Sequence, residues 1–376
     1  MIPFIHKINF ADFTIKILIK GFITALLYSS FIYLEYFEIT NKLLNSIIVI
    51  IAYYLLVTID KKSMFIAGFF SALFWFWWIG NSFVYYHLVY IIPFILLGIA
   101  LIYGILFYAT AIFQNIFVRI ILLYSLNFIE PFGFNWFKID LPLINTYFNT
   151  YHSDTKQPNL KIYMPSYNIA QDKKWNKNNL KQIIQQNLDN INYGIKNHYD
   201  LVILPETIFP LILNKNTKLL EILKEYSKQI SIIAGSLSYK NHQYLNSTYL
   251  FQNQKMVIAN KVVLVPFGEK IPLPEFLVKI INQYFFNGAS DYTSSAKPTT
   301  FVIKGVKFRN AICYEATTDK VYQNLDTHFV IASSNNAWFT PSIEPTLQKL
   351  LLKYYAKKYN LIIYHSTNKS QNMIIK

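Results

Sequence analysis

Apolar residues run almost unbroken through the first third of the chain, then give way to short stretches cut by polar turns. Five apolar segments can be drawn, at 13–34, 43–59, 63–85, 87–112 and 114–130. A helix needs about 20 apolar residues to cross the hydrocarbon core. The pattern therefore predicts a transmembrane helical domain over 1–130, with the second and fifth segments at the short limit. The first segment stands where a signal peptide would. However, no small-x-small cleavage site follows it, and four more apolar segments come after.

Charges in the short loops predict an orientation. Lys7, Lys16 and Lys20 precede or enter the first segment, Lys61 and Lys62 lie between the second and third, and Arg119 lies between the fourth and fifth. The alternate loops carry Glu35, Glu38 and Lys42, then an uncharged turn near 85–87. Positively charged loops stay in the cytoplasm, so five crossings put everything after Glu130 on the outer side. The run FWFWW at 74–78 fits an interfacial belt or helix packing, with a lipid-facing role at a substrate entrance as the sharper alternative. Residues 131–158, with Pro131, Pro142 and Pro158, read as a connecting segment at the membrane surface.

From residue 159 the period changes. NLKIYMPSYNI reads as a strand and its following loop. Residues 176–198 place Leu180, Ile183, Ile184, Leu188 and Ile191 at helical spacing, and 217–229 form a second amphipathic helix. Between them DLVIL, 200–204, is a continuous apolar run typical of a strand buried on both faces. SIIAGS, a strand pair at 244–251 and 255–263, a hairpin over 299–312 around Lys304-Gly305, THFVIASSNNAWF and NLIIYHST supply further strands, with a helix at 345–359. Strands alternating with helices and mixed with hairpins predict a layered α/β domain over 159–376.

Composition removes one reading. The 376 residues are 53% hydrophobic and 18% aromatic, with a formal net charge of +15. The positive charge is nearly all lysine, mostly after Lys156, and no basic run alternates with aromatics as in a nucleic-acid recognition helix. A basic domain beside an anionic bilayer is the simpler account, and no nucleic-acid partner is expected. The single cysteine excludes a disulfide framework. The seven histidines are scattered, with no pair at metal-ligand spacing, so neither a metal nor another cofactor is expected.

Three ionisable residues close apolar strands at well separated points: Glu206 in DLVILPE, Lys261 in IANKVVLVPFGE and Cys313 in NAICYE. Each has a plain reading. Glu206 can be a surface carboxylate after a proline, Lys261 a strand-face lysine in solvent, and Cys313 a small buried apolar residue. Ionisable groups where buried strands emerge are also well placed to act in a cleft.

The blocks LVILPETIFP, NKVVLVPFGEKIPLP, ICYE and SNNAWF, in that order, resemble the signature blocks of the nitrilase superfamily. Preceded by a multi-helix membrane half, they resemble its membrane-bound branch, the apolipoprotein N-acyltransferase family of the bacterial inner membrane. AGFFSALFWFWWIGNS, IEPFGFNWF and NIAQDKKWN are similar to further blocks of that family, so the likeness covers about residues 63–376. The resemblance implies a multi-helix transmembrane bundle followed by a nitrilase-like α/β domain, a four-layer α-β-β-α sandwich. It also implies a Glu–Lys–Cys triad at Glu206, Lys261 and Cys313. There a carboxylate takes the thiol proton, and the lysine ammonium lowers the thiol pKa and stabilises the oxyanion. Glu269, Tyr314, Glu315 and Trp338 match supporting positions, with the Tyr314 backbone N–H as second oxyanion donor.

The implied reaction has two steps. Cys313 attacks the acyl ester of a membrane phospholipid, giving a thioester and a lysophospholipid. The free α-amine of an apolipoprotein's diacylglyceryl-modified cysteine then takes the acyl group. The family's location implies a multi-pass inner-membrane protein with a periplasmic catalytic domain, expected to act as a monomer.

The chain departs from the family in places. In the 345–359 helix the family's Arg and Glu are Tyr355 and Lys358, and its Asn-x-Gly is Asn368-Lys369-Ser370. Local packing or an ion pair should change, not the triad. QNMIIK stops where the family continues with further strands and a last transmembrane helix, so the sheet is expected to lack those strands. Residues 275–286, EFLVKIINQYFF, read as a lid or membrane-dipping arm, or else as a packed helix. A membrane-tethered nitrilase-type amidase and an inactive lipoprotein-binding scaffold stand as alternatives. A transporter is disfavoured because the membrane half carries no charge relay.

Overall fold

The computed structural model describes residues 14–149, 155–285 and 291–376. Lys7, residue 13 of the first segment, residues 150–154 of the connecting stretch and residue 286 of the 275–286 segment lie outside them. The chain divides into two compact units, one of Met1–Pro131 with Phe137–Thr150, the other of Phe132–Trp136 with Tyr151–Lys376.

In the first unit α1 (Ile15–Tyr36), α2 (Lys42–Thr58), α3 (Lys61–Phe76), the short α4 (Gly80–Val84), α5 (Ile92–Thr110) and α6 (Ile116–Ser125) are cut from the apolar segments. Ile15–Tyr36, Lys61–Val84 and Val89–Thr110 are long and apolar enough to cross a membrane; Lys42–Thr58 and Ile116–Phe128 are shorter apolar helices. Polar residues start the helices. The Asn41, Asp60 and Asn115 side chains accept hydrogen bonds from the first free N–H groups of α2, α3 and α6. The aromatic run at 74–78 is mainly helix packing. Trp75, Phe76 and Trp78 are buried. Trp75 stacks on Tyr28 at 5.6 Å and donates Nε1 to Ser29 Oγ at 3.1 Å. Trp77 is the outward member.

The second unit holds two sheets. The first comprises β1 (Ile162–Tyr163), β2 (Leu201–Ile203), β3 (Phe209–Ile212), β4 (Ser231–Lys240), β5 (Gln243–Gln252) and β6 (Lys255–Asn260), in the order β1-β2-β4-β5-β6, with β3 also paired to β4. The second comprises β7 (Thr300–Ile303), β8 (Val306–Ile312), β9 (Phe329–Asn335), β10 (Ile362–Asn368) and β11 (Met373–Ile375), in the order β11-β10-β9-β8-β7. Its helices are the single turn α7 (Gln171–Lys174), α8 (Lys177–Lys196), α9 (Thr217–Tyr226), α10 (Glu275–Phe285) and α11 (Glu344–Lys358).

The period of two along β2 explains the layering. Leu201 and Ile203 pack with Ile233, Leu250, Phe301, Phe308, Ile331 and Ile362 between the sheets. Val202 and Leu204 point the other way, against Ile191 of α8 and Leu219 and Leu223 of α9. On the far side of the second sheet, Ala311, Val330 and Ile363 pack with Leu352, Tyr355 and Ala356 of α11. This is a four-layer α-β-β-α sandwich. A strand such as β2 must be apolar at every position, and each buried Leu or Ile contributes about 1.5–3 kcal/mol.

Three hairpins use two-residue turns with both residues at positive φ: Asn241-His242, Asn253-Gln254 and Lys304-Gly305. Such turns match the strand twist, but only the third carries glycine as a signal. One sequence expectation is corrected, and one strand was missed. The strand drawn over 255–263 ends at Asn260, because the Val262 and Val263 N–H groups turn to the Glu315 carboxylate instead of a neighbouring strand. β3, short and holding Pro210, was not foreseen. In α11, Tyr355 stacks on Tyr322 at 5.6 Å and Lys358 pairs with Asp319 at 2.6 Å. α10 leaves Phe276 and Ile280 exposed.

Candidate active site

β2, β6 and β8 deliver Glu206, Lys261 and Cys313 from their C-terminal ends. Glu206 sits in a tight turn after Leu204-Pro205. Gly235 of β4 donates its N–H to Pro205 O at 3.2 Å. A Cβ on Gly235 would fall 2.5–2.6 Å from Thr207 N, Glu206 Cα and Pro205 O, so the turn lies against β4 only because position 235 is bare. Thr207 completes the turn at φ 46°. The Glu206 carboxylate accepts from Asn246 Nδ2 at 2.7 Å and from Asn335 N at 2.9 Å.

Lys261 is 1% exposed. Its Nζ is 2.8 Å from Glu269 Oε2 and 3.8 Å from Glu206 Oε1. Asn246 Nδ2 ties the two carboxylates together, donating also to Glu269 Oε1 at 2.8 Å. Glu269 is held by Val265 N at 2.9 Å. The ammonium has three protons, and the Glu269 pair engages one, so others can turn to a substrate oxygen.

Cys313 follows β8 at φ 53° and opens a helical turn, 313–317. Glu315 braces that turn: its carboxylate accepts from Ile312 N at 2.8 Å, Val262 N at 2.6 Å and Val263 N at 3.2 Å, joining the Cys313 segment to the Lys261 segment. Tyr314 is buried; its hydroxyl donates to Gly133 O and accepts from Asn135 N, each at 3.0 Å, and its ring stacks on Phe134. Trp338 is half-buried in the turn after Asn335, whose N–H holds Glu206. Among the described residues no group of three or more His, Cys, Asp or Glu is arranged to hold a metal ion.

The family model described as the apolipoprotein N-acyltransferase integral membrane domain matches residues 15–177. The apolipoprotein N-acyltransferase of Wolinella succinogenes is 40% identical over 404 residues, covering 97% of this chain and 97% of that one. This chain belongs to the apolipoprotein N-acyltransferase family. The Campylobacter jejuni apolipoprotein N-acyltransferase is 36% identical, covering 98% of this chain and 91% of that one. A CN-hydrolase superfamily protein of known structure from Xanthomonas campestris covers 57% of this chain and 77% of that chain at 15% identity and a TM-score of 0.41. Membership of this family makes the chain an integral membrane protein and an acyltransferase.

The charges around Cys313, Lys261 and Glu206 act on one another. Burial and the Glu206 carboxylate push the Cys313 thiol well above its ordinary value, against a downward pull from Lys261. Cys313 keeps partial solvent exposure, which weakens the burial contribution, but the carboxylates push the same way and the resting state is the thiol. Burial acts to lower the Lys261 ammonium, yet Glu269 and Glu206 outweigh it and hold the group above lysine's ordinary value. Burial raises Glu315 to about 7 despite Lys261 and three backbone donors.

Several neighbours escaped the sequence reading. Lys174, fully buried, donates to Glu206 O at 3.0 Å and Thr207 Oγ1 at 2.8 Å, and burial lowers it to about 7. Asn335 Nδ2 donates to Gln171 Oε1 at 2.9 Å. Glu344 and Gln348, one turn apart on α11, are each 1% exposed. Asn246 and Asn335, polar residues within the buried stretches of β5 and β9, were the detectable signal; Lys174 and Gln348 look like ordinary helix-surface residues.

Proposed function

We propose that this chain transfers a fatty acyl group from a membrane phospholipid to the α-amine of the diacylglyceryl-modified N-terminal cysteine of an apolipoprotein. The observation that carries the reading is the buried Lys261–Glu206 pair at 3.8 Å, with the Cys313 turn fastened to the Lys261 segment through the Glu315 carboxylate. Glu206 takes the thiol proton as Sγ attacks the ester carbonyl. The oxyanion of the tetrahedral intermediate is held by Lys261 and the Tyr314 N–H. Collapse breaks the ester C–O bond, and the proton passes from Glu206 to the glycerol oxygen, releasing a lysophospholipid. In the second half the amine attacks the thioester carbonyl, the C–S bond breaks, and the amine proton returns through Glu206 to sulfur.

The reaction is set at the periplasmic face of the inner membrane. With all five apolar helices crossing, Lys16, Lys20, Lys61, Lys62 and Arg119 fall on one side, and five is an odd number of crossings. Both substrates are lipid-anchored, which supports a catalytic unit tethered beside the bilayer.

The test uses the full chain in proteoliposomes with acyl-labelled phosphatidylethanolamine. Label should appear on Cys313, be released by hydroxylamine, and be absent from Cys313→Ala. Label that survives in Cys313→Ala sinks the assignment. Absence of label from the native chain points to an amidase or a scaffold.

A further inference from the structure

Gln348 is 1% exposed, and its Nε2 stands 3.9 Å from the Cys313 sulfur. The amide is not free to turn. Its Oε1 accepts from Asn336 Nδ2 at 3.1 Å, and the same Nδ2 donates to Ser370 Oγ at 3.1 Å. With its oxygen so engaged, the amide presents N–H to the sulfur. A neutral thiol gains little from such a donor. A thiolate gains more, because hydrogen bonds to charged groups are roughly twice as strong as neutral ones.

We propose that Gln348 is a positioning residue for the nucleophile: aimed by Asn336, its Nε2–H donates to Cys313 Sγ and shares the charge that forms as the thiol proton passes to Glu206. This rests on the reading of Cys313 as nucleophile given above. The other groups acting on the sulfur are charged or titratable: Glu206, Glu269 and Glu344 oppose a thiolate, while Lys261 and Lys174 favour one. Gln348 adds a donor without altering the net charge of the site. That property suits a group that must steady sulfur through both halves of a ping-pong transfer.

Cys313 is the only cysteine in the chain, so iodoacetamide alkylation of the full chain in detergent micelles reads this thiol alone and needs no lipid. Gln348→Met keeps the volume and loses the donor. Its alkylation–pH profile should move to higher pH, with alkylation below the midpoint slowed about tenfold. Acyl-thioester formation from labelled phosphatidylethanolamine should slow in parallel, at unchanged KM for the donor. Asn336→Ala, which frees the amide without touching the sulfur, should shift the profile the same way by a smaller factor, and serves if Gln348→Met does not fold. A variant profile that overlays the native one overturns the proposal. So does a shift to lower pH, which would mean that the amide oxygen accepts from the thiol. If the native chain forms no acyl label, the functional reading fails while the alkylation profile still decides the role of Gln348.

Discussion

At Lys261 burial and charge pull in opposite directions, and the carboxylates prevail. One buried ammonium between Glu269 and Glu206 offsets part of the charge of two carboxylates held largely out of water. Lys261→Met leaves those carboxylates without a counter-charge, and breaking a buried pair costs about 3–5 kcal/mol. It also removes an oxyanion donor, worth about 10²–10³ in rate. The expected outcome is a lower unfolding temperature together with acyl-thioester formation slowed by at least that factor in rapid-quench measurements. A Lys261→Met protein that labels Cys313 at the native rate would remove the lysine from the chemistry.

At the scale of elements, the position of Glu206 depends on β4 having no side chain at Gly235. Gly235→Ala sets a Cβ against three backbone atoms of the Glu206 turn, and backbone cannot rotate aside as a side chain can. Activity should fall at least about 100-fold, since misplacing a reacting group by about 1 Å is enough for that. Gly305→Ala is the control. It sits at φ +82° in the β7–β8 turn, with open space where its Cβ would go. It should cost about 1–2 kcal/mol of stability from backbone strain and leave the acyl-transfer rate unchanged. Equal losses of rate in the two variants would mean that any weakening of the sheets, not the Glu206 turn, governs activity.

At the scale of the molecule, the sandwich closes over groups that can no longer titrate freely. His365 of β10 is 1% exposed, with Nε2 2.9 Å from Ser334 Oγ, and burial lowers it to about 3 from 6.5. Below pH 6.5 the unfolded chain binds a proton that the folded one refuses. The stabilisation is complete above that value and is lost as pH falls toward 3. Between pH 7 and 5 this amounts to about 2 kcal/mol. Melting curves of the protein in detergent should show a fall in unfolding temperature over that interval, and His365→Gln should flatten it. An unchanged pH dependence in His365→Gln would place the acid sensitivity elsewhere.

Much of this was legible in one dimension. Hydropathy marks the helices of the first unit because a bilayer demands length and apolarity, both local properties. Period two, period 3.6 and the all-apolar β2 announce the sandwich because burial is written position by position. Glu206, Lys261 and Cys313 stand out as ionisable residues closing apolar runs. The tertiary structure alone decided what those residues touch. Asn246 bridges two carboxylates, Lys174 holds the Glu206 turn, and Gln348 reaches the sulfur because sheet order and α11 packing bring separate segments to one place. A lysine in a QDKK turn and a glutamine in a helix follow surface grammar in the sequence. Only the fold takes them out of water and gives their hydrogen bonds a direction.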